Sequence, residues 1–237
     1  MKLVEVKNVT KSFNSHRVLD DISFNVQSGE SLAIVGPSGV GKSTLLRIIT
    51  DLETLDSGKI VLNTKKISMV FQYSALLNSY TVGENIALAL HESKLSKKEI
   101  QQKVMEKLRL VGLESYVSSF PDQLSGGQRK RVGFARAVAN DPEVILYDEP
   151  TSGLDPILST LIEDYINKLS REFHVASIVV THQLSTVQRT ANLVCMLYKG
   201  KIVWEGNPSD FIKSENPYVK QFVRAEVEGP IMSTLIE

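Results

Sequence analysis

The chain has 237 residues, of which 42% are hydrophobic, and its 27 Lys and Arg residues balance 27 Asp and Glu residues. This composition is typical of a globular protein with a sizeable core, and it excludes a disordered tail. Because the formal net charge is zero, nothing in the charge balance predicts a nucleic-acid footprint, and we expect no nucleic-acid partner.

The same inventory indicates where the chain works. Its single cysteine, Cys195, lies in the apolar run LVCML and is predicted to be a core residue, not a nucleophile or a metal ligand. No apolar run approaches the ~20 residues that a transmembrane helix needs, and the first residues lack a long hydrophobic leader. We therefore expect a cytoplasmic protein.

The chain begins with two alternating segments, KLVEVKNV and LDDISFNV, which predict two half-buried strands joined by the polar connection NSHRV. Phe13 lies just before this connection. Its ring is either exposed, where it could stack on an adenine base, or a hydrophobic group that closes the hairpin, and both possibilities stay open.

Residues 31–44, SLAIVGPSGVGKST, predict a buried strand, a glycine-rich loop and the start of a helix. Such a loop points backbone N–H groups into one concavity at the positive end of a helix, which suits a polyphosphate. Lys42 would then face the β- and γ-phosphates, and the Ser43 hydroxyl would face Mg²⁺. The alternative is a chance match, on the order of one in a hundred for a chain of this length. The candidate phosphate-binding residues are Gly36, Pro37, Ser38, Gly39, Val40, Gly41, Lys42, Ser43 and Thr44.

The middle third is predicted to be mostly helical. Gln72 ends the predicted strand ISMVF, and the loop after it leads to TVGE at residues 81–84, a capping-box pattern. The run from residue 96 to 113 has the spacing of an amphipathic helix. These helices form either a subdomain inserted into the α/β core or another layer on the sheet. Our division is a core with a β subdomain (1–85 and 143–206), a helical subdomain (86–142) and a C-terminal tail (207–237).

Two features of this region suggest contacts with other molecules. Leu76 and Leu77 lie in the loop after Gln72, where they either dock a membrane partner or tuck under the helices. Ser125 is predicted to cap a helix with two glycines in its first turn, which weakens the helix but permits close approach to an anion. The rest of that helix, RKRVGFARAVAN, is predicted to present a basic exposed face.

The run VILYDEP predicts a buried strand that ends in Asp148 and Glu149, at the edge where open α/β sheets bind ligands. Buried neighbouring carboxylates are reasonable if Asp148 faces Mg²⁺ and Glu149 faces a water molecule that it orients or deprotonates. Two solvated acids are the plainer alternative. His182 ends the next predicted strand, VASIVVTH, where it either senses a γ-phosphate or is structural.

Taken in order, these segments resemble one family. GPSGVGKST, Gln72 after MVF, LSGGQRKRVGFARA, VILYDEP, SGLD and His182 follow the pattern of an ATP-binding-cassette transporter ATPase over almost the whole chain. LSGGQ beside a phosphate loop is the feature that separates this family from other P-loop ATPases. The resemblance implies an α/β P-loop NTPase core with an antiparallel β subdomain and an inserted helical subdomain, and the cofactors ATP and Mg²⁺.

The resemblance also implies roles for individual residues. Ser43 and Gln72 would bind Mg²⁺, and Asp148 would support the metal. Glu149 would activate water, and His182 would contact the γ-phosphate. Phe13 stands where the family usually has a tyrosine against adenine. Ser125, Gly126, Gly127 and Gln128 would close over the ATP of another subunit, which implies a homodimer.

A transporter ATPase without a spanning helix needs integral membrane permease subunits, so the resemblance implies a peripheral position on the cytoplasmic face of the inner membrane. YDEPTSGLDPI and the tail NPYVKQFVRAEVEGPI are similar to ATPases of mammalian-cell-entry-type lipid transport systems, which would add a substrate-binding protein of that type. An importer of amino acids or other small polar solutes is the alternative. A soluble cassette ATPase of DNA repair or ribosomes, or a non-hydrolysing regulator, fits less well.

The C-terminal tail carries a helix-like segment, NPYVKQFVRAEVE, that Gly229 and Pro230 interrupt. The apolar end that follows, IMSTLIE, needs a cover. It either folds back on its own chain or crosses to a partner subunit through Ile231, Met232, Leu235 and Ile236.

Overall fold

The computed structural model describes residues 1–232 of the chain. Its strands are β1 (Lys2–Phe13), β2 (His16–Gln27), β3 (Ser31–Val35), β4 (Ser57–Leu62), β5 (Ile67–Val70), β6 (Val144–Asp148), β7 (Ala176–Val180), β8 (Leu193–Tyr198) and β9 (Lys201–Gly206). Its α-helices are α1 (Lys42–Ile49), α2 (Val82–Ala87), α3 (Lys97–Leu110), α4 (Gly126–Ala137), α5 (Pro156–Phe173), α6 (Leu184–Thr190), α7 (Pro208–Lys213) and α8 (Pro217–Arg224).

A three-stranded antiparallel sheet, in the order β2-β1-β4, forms the β subdomain. The predicted hairpin is confirmed, but its connection is shorter than NSHRV. Asn14 and Ser15 alone form the turn, both in the left-handed region with φ of 46° and 67°. Two successive left-handed residues give a turn that matches the twist of the flanking strands, so pairing continues to Phe13 and His16.

A six-stranded sheet, in the order β5-β6-β7-β3-β8-β9, forms the core. Its neighbours are parallel except for β9, which pairs antiparallel with β8 at the edge. Every residue of β3, β6 and β7 is buried, as expected for parallel strands that are covered on both faces. Because these strands are neighbours, the loops that follow them meet at one edge of the sheet.

Side-chain caps fix the starts of the middle helices. Thr81, Ser96 and Ser125 each form a capping box with the residue three positions on, at the starts of α2, α3 and α4. The capping box at Thr81 and the cap at Ser125 confirm the predicted starts of α2 and α4. Asp155 caps α5, because its side chain accepts hydrogen bonds from the Ile157 and Leu158 N–H groups.

The middle helices share a hydrophobic cluster with the sheet. Val82, Leu108 and Val132 of α2, α3 and α4 belong to the same buried cluster as Tyr147 of β6 and Val179 of β7. The helices therefore bury their apolar faces partly against one another and partly on the sheet. The boundaries of a helical subdomain at residues 86 and 142 stay a prediction.

The same face of the sheet is covered farther along, at β3 and β8, by α6, α7 and α8, through a cluster that includes Val35, Met196, Phe211 and Val219. The opposite face is covered by α1 and the β subdomain. Neither α6 nor α7 is evident from the sequence, because both helices are short. Trp204 lies on the edge strand β9, and its ring packs edge-on against Phe211 with centroids 5.1 Å apart.

Cys195 is buried on β8, as predicted, and burial raises the pKa of its thiol to about 12. Within residues 1–232, no helix combines the length and the apolar character that crossing a membrane requires.

The C-terminal tail has a shorter helix than predicted and follows the fold-back alternative as far as residue 232. Helix α8 ends at Arg224, earlier than predicted, because Ala225 adopts a left-handed conformation with φ 52°. The buried Gln221 then binds the returning chain, since its Nε2 donates to the Ile231 carbonyl (3.0 Å) and its Oε1 accepts from the Ile231 N–H (2.7 Å).

Ile231 also packs against the cluster under α7 and α8, and the Met232 N–H donates to the Tyr198 hydroxyl at 3.1 Å. The chain therefore folds back on itself at Ile231, which supports the first of the two alternatives over packing of this residue on a partner. Leu235 and Ile236 lie outside the described residues.

Candidate active site

The phosphate loop joins β3 to α1 and depends on glycine at three positions. Gly36, Gly39 and Gly41 all have φ between 78° and 149°. A Cβ at Gly36 would overlap the Leu197 carbonyl, and one at Gly41 would lie 2.8 Å from Val18 Cγ1. A Cβ at Gly39, by contrast, would meet no atom within 4 Å among the described residues, so this glycine faces open space. One side of the loop therefore packs closely against neighbouring residues of the protein, and the other side is accessible.

Lys42 is held inside this loop. Its Nζ donates to the Gly36 and Pro37 carbonyls, each at 2.8 Å. Burial lowers the pKa of the ammonium, and the nearby carboxylates of Glu149 and Asp148 oppose that effect. Since no side chain caps the start of α1, the N–H groups of its first turn are available to an anion.

Asp148 and Glu149 follow each other at the end of β6, and both are buried. The Ser43 hydroxyl donates to Asp148 Oδ1 at 2.8 Å. Burial raises the pKa of the Asp148 carboxyl; the Ser43 hydrogen bond lowers it, and the charge of Glu149 raises it further. The plainer alternative of two solvated acids is wrong.

Glu149 adopts a left-handed conformation with φ 50°, and its N–H donates to the Val180 carbonyl at 2.9 Å. One carboxylate oxygen, Oε1, lies 2.8 Å from His182 Nδ1. The other, Oε2, is buried and has no hydrogen-bond partner among the described residues. A buried carboxylate oxygen needs a donor, so this atom is ready to bind a water molecule.

These groups line one cavity of about 320 Å³. Its walls come from the phosphate loop, from the ends of β5, β6 and β7, and from the residues Ser38, Gly39, Gly41, Lys42, Ser43, Thr44, Gln72, Glu149, Val180 and His182. Val180, a residue of β7, is the one wall residue that the sequence did not single out. The structure thus brings together the phosphate loop, Gln72, Glu149 and His182, with Asp148 attached through Ser43.

The donors in this cavity fit a magnesium ion. Hydroxyl, carboxylate and amide oxygens are hard ligands of the kind that Mg²⁺ prefers, and Ser43, Asp148 and Gln72 supply one of each. Within residues 1–232, no group of three or more His, Cys, Asp or Glu side chains could hold a metal without further ligands. The site therefore suits an ion that takes most of its ligands from phosphates and water.

Phe13 does not reach this cavity. Its ring is 42% exposed on the β subdomain, so it is not a buried hairpin residue. Lys11, which is buried and bonds Glu53 at 2.7 Å, holds its ammonium 4.8 Å from the centre of the ring. An ammonium so placed is attracted by the aromatic face and fixes the ring against the sheet. Stacking of the ring on adenine stays a prediction.

Residues Ser125 to Gln128 lie apart from the phosphate loop of their own chain. Gly126, in the first turn of α4, lines a second cavity of about 390 Å³ together with Gln72, Tyr73, Ser152 and Gly153. Gln72 is common to the two cavities. Of the segment 125–128, Gly126 lines this second cavity, and no residue of the segment lines the cavity of this chain's phosphate loop.

The basic face of α4 is not exposed as predicted. The Arg136 guanidinium donates through Nη1 to the Ala75 carbonyl (2.8 Å) and through Nη2 to the Ser74 carbonyl (2.9 Å). Arg131 donates to the Val111 carbonyl at 2.7 Å, and Lys130 donates to the Ser152 carbonyl. These cationic side chains donate hydrogen bonds to backbone carbonyls of loops. A helical pattern in the sequence does not reveal such partners.

The loop after Gln72 is bent and held by α4. Ser74 and Ala75 are both left-handed, with φ of 51° and 47°, and Arg136 binds the carbonyls of this corner. Gly133 permits the approach, because a Cβ there would lie 3.2 Å from the Ser74 carbonyl oxygen. Burial lowers the pKa of Arg136.

Further along the loop, the two leucines separate. Leu76 packs against the cluster shared by the helices and the sheet, whereas Leu77 is 46% exposed and Tyr73 is 84% exposed. The buried Asn85 fixes this arrangement: its Oδ1 accepts from the Leu77 N–H, and its Nδ2 donates to the Leu77 carbonyl and to the carbonyls of Tyr80 and Thr81. Docking through Leu76 is therefore wrong, and Leu77 remains accessible.

The fold and the cavity define a P-loop nucleotide-binding protein, and comparisons with known proteins narrow the class. The ABC transporter family model matches residues 19–152. Protein TRIGALACTOSYLDIACYLGLYCEROL 3, chloroplastic, of Arabidopsis thaliana is 41% identical over 97% of this chain and 75% of that protein. Methionine import ATP-binding protein MetN of Lactobacillus johnsonii is 35% identical over 95% of this chain and 71% of that protein.

The solved structures agree. A dimeric structure of the ATP-binding cassette MJ0796 in a post-hydrolysis state with ADP and Pi superposes with a TM-score of 0.81 at 33% identity, over 86% of this chain and 98% of that one. The chain belongs to the ABC transporter family. It is an ATP-binding-cassette ATPase, the ATP-hydrolysing subunit of a transporter.

The contact between Arg136 and the Ser74–Ala75 corner generates a prediction. Arg136→Ala leaves two carbonyls without donors, so it should lower the free energy of unfolding by about 1–3 kcal/mol. The free energy of unfolding of Arg136→Lys should lie between those of the wild type and Arg136→Ala, because one ammonium cannot reproduce the guanidinium fork. Denaturant unfolding measures both, and chymotrypsin cleavage after the exposed Tyr73 should accelerate in the same order.

Arg109→Ala is the matched control, since Arg109 is exposed and its only ion pair among the described residues is with Glu114 at 3.7 Å. It should change stability by less than about 0.5 kcal/mol. Equal stability of Arg136→Ala and Arg109→Ala would contradict the assignment.

Proposed function

We propose that this ATPase drives lipid transport by a membrane permease and that it works as a homodimer with ATP held between the subunits. The observation that carries the hydrolytic mechanism is the convergence of Lys42, Ser43, Gln72, Glu149 and His182 on one cavity. Each of these side chains has a place in a phosphoryl-transfer site, where catalysis consists mostly of positioning and charge stabilisation.

Residues 36–44 would hold the phosphates of ATP. The uncapped start of α1 offers N–H groups, and Lys42 offers a positive charge that its two carbonyl partners already aim at the loop. Ser43, Gln72 and Asp148 would hold Mg²⁺. When bound, that ion supplies positive charge against the phosphate oxygens.

Glu149 would orient the attacking water and take its proton. Its Oε2 is buried without a donor, and a carboxylate in that state gains a hydrogen bond when water arrives. His182, now 2.8 Å from Oε1, would turn to the γ-phosphate, since its ring is half exposed to the cavity. Phe13 would stack on adenine through its exposed ring.

A second copy of the chain would complete the site. Gly126, within the segment of Ser125, Gly126, Gly127 and Gln128, lines a cavity other than the one formed by this chain's own phosphate loop. The related MJ0796 cassette forms a dimer. A two-fold pair would place segment 125–128 of each subunit over the nucleotide of the other, and loss of the γ-phosphate would let the pair separate.

Substitutions separate the roles of binding and hydrolysis. Glu149→Gln should bind ATP and form a stable ATP-dependent dimer, yet hydrolyse ATP about 10²–10⁴-fold more slowly, because the general base is gone. Lys42→Ala should instead bind ATP weakly and form no such dimer. ATPase rates and sedimentation with and without ATP test both. Normal turnover by Glu149→Gln would refute the role of Glu149.

The loop after Gln72 is the proposed contact with the permease. Tyr73, Leu77 and Tyr80 are exposed there, on a backbone that Asn85 and Arg136 hold in place. Apolar side chains on a fixed loop suit a helix of a membrane partner. The ATPase would then lie on the cytoplasmic face of the membrane.

This surface is testable at Leu77. Leu77→Asp should abolish co-purification with the permease while leaving the unfolding curve and the ATPase rate of the isolated subunit unchanged. Leu76→Asp should destabilise the subunit instead, since Leu76 is partly buried and packs against the core cluster. Leu52→Asp, at a leucine after α1 that is also exposed, is the control and should keep the complex. Retention of the permease by Leu77→Asp would rule this surface out.

Two substrates are supported by different relatives. A relative whose name carries a galactolipid shares 41% identity with this chain, and a methionine importer shares 35%. The higher identity favours lipid, with a mammalian-cell-entry-type binding protein as a further partner. Import of amino acids or another small polar solute is the second candidate.

Purification with the permease and reconstitution in liposomes distinguish the two substrates. We expect added phospholipid or glycolipid to stimulate ATP hydrolysis in the complex, and methionine or other amino acids to leave it unchanged. Stimulation by an amino acid together with its binding protein, but not by lipid, would favour the importer.

A further inference from the structure

The two loops that carry Glu149 and His182 are joined twice. The first contact is in the cavity, where Glu149 Oε1 lies 2.8 Å from His182 Nδ1. The second lies two residues after Glu149 and one after His182, where Thr151 Oγ1 and Gln183 Oε1 are 3.0 Å apart. Neither residue of the second contact lines the cavity.

The second contact begins a buried polar chain. Thr151 Oγ1 lies 3.1 Å from Thr186 Oγ1, and Thr186 Oγ1 lies 2.7 Å from Glu163 Oε1. Thr151, Thr186 and Glu163 are all buried. The chain ends in an ion pair, since Glu163 Oε2 is 2.8 Å from Arg189 Nε. It thus connects the two loops to α5, which carries Glu163, and to α6, which carries Thr186 and Arg189.

The number of available protons determines which group donates in each hydrogen bond of this buried polar chain. Each threonine hydroxyl has one proton, and Glu163 is ionised in its pair with Arg189, so Thr186 must donate to Glu163. Thr151 must then donate to Thr186, or that buried contact has no proton. The proton of Thr151 is then used, so its contact with Gln183 needs a donor from the Gln183 amide. The amide supplies that donor when its nitrogen end faces Thr151, because the two ends of an amide are interchangeable in shape.

The geometry points to Glu163 as a positioning residue for ATP hydrolysis, acting through Thr186 and Thr151 on the loops that carry Glu149 and His182. This inference rests on the proposed function, in which those two residues act on water and phosphate. A buried ion pair adds little stability over a well-packed apolar pair, but a directed chain of hydrogen bonds restricts how far the two loops can move apart.

Conservative substitutions along the chain test the inference. Thr186→Val keeps the shape and removes both hydrogen bonds, and Glu163→Gln replaces one acceptor by a donor. Both should lower kcat about tenfold with little change in KM for ATP, because nucleotide binding is intact and the reacting groups are misplaced. Thr186→Ser should restore kcat. Asp164→Asn is the matched control: Asp164 binds the same Arg189 at 2.8 Å but is exposed and outside the chain, so it should change neither constant.

A spectroscopic readout separates positioning from stability. The His182 imidazole resonance, assigned by its loss in His182→Asn, should shift in nucleotide-free Thr186→Val and Glu163→Gln but not in Asp164→Asn. A resonance that does not move overturns the inference, whatever happens to kcat or to the melting temperature. A normal kcat in folded Thr186→Val and Glu163→Gln overturns it as well.

The proposed function fails independently. If Glu149→Gln hydrolyses ATP normally while the His182 resonance still shifts in Thr186→Val, the role of Glu149 is wrong and the positioning of the loops stands.

Discussion

Two neighbouring carboxylates, Asp148 and Glu149, are buried at the end of β6, and the architecture around them compensates for that burial. Transferring a carboxylate out of water is unfavourable unless hydrogen bonds or opposite charge replace the lost hydration. Ser43 supplies a hydrogen bond to Asp148, and His182 contacts Glu149. Lys42 supplies positive charge. The effect of burial nevertheless outweighs the attraction between Lys42 and the carboxylates, since the pKa of Lys42 is lowered and that of Asp148 is raised. The buried charges of this site are thus a net cost to the fold, and a ligand that neutralises them would stabilise the protein.

The sequence was sufficient for this core because its signals are local. Strands β3, β6 and β7 are contiguous apolar runs, and each is followed directly by its functional residues: the phosphate loop, Asp148 with Glu149, and His182. Parallel pairing of neighbouring strands then brings the three loops to one edge without any further information. The caps at Thr81 and Ser125 were equally readable, because a cap and its partner are three residues apart.

What the sequence did not reveal depends on partners far along the chain. The basic residues of α4 looked like a solvated face, yet Arg136 binds carbonyls at Ser74 and Ala75, about sixty residues away. Leu76 and Leu77 are adjacent residues of the same type, so the sequence does not distinguish them. Only the bend that Asn85 stabilises makes Leu76 partly buried and Leu77 exposed. The fold-back at Ile231 depends on Gln221, a side chain that reads as the polar face of an amphipathic helix.

These distant contacts connect elements with different roles. Gln72 lines the phosphate cavity and also the cavity beside Gly126, and the loop after it is fixed to α4 by Arg136. The same helix begins with segment 125–128. A displacement of Gln72 would therefore load the corner at Ser74 and Ala75 and, through it, α4, which begins with the segment that we propose contacts the other nucleotide of a dimer. The connection is mechanical and short, since it needs no element beyond α4 itself.

The conformation of Glu149 shows why a second bridge between the loops matters. A left-handed φ at a residue with a side chain costs about 1–2 kcal/mol, and it persists only where the surroundings fix it. The Val180 carbonyl holds the Glu149 N–H, and Pro150 limits the next residue. Thr151 then binds Gln183 and Thr186, which fixes the far end of the turn. If His182 leaves Glu149 for a phosphate, the first bridge is lost, and the buried chain from Thr151 to Glu163 is what keeps Glu149 in its strained and useful orientation.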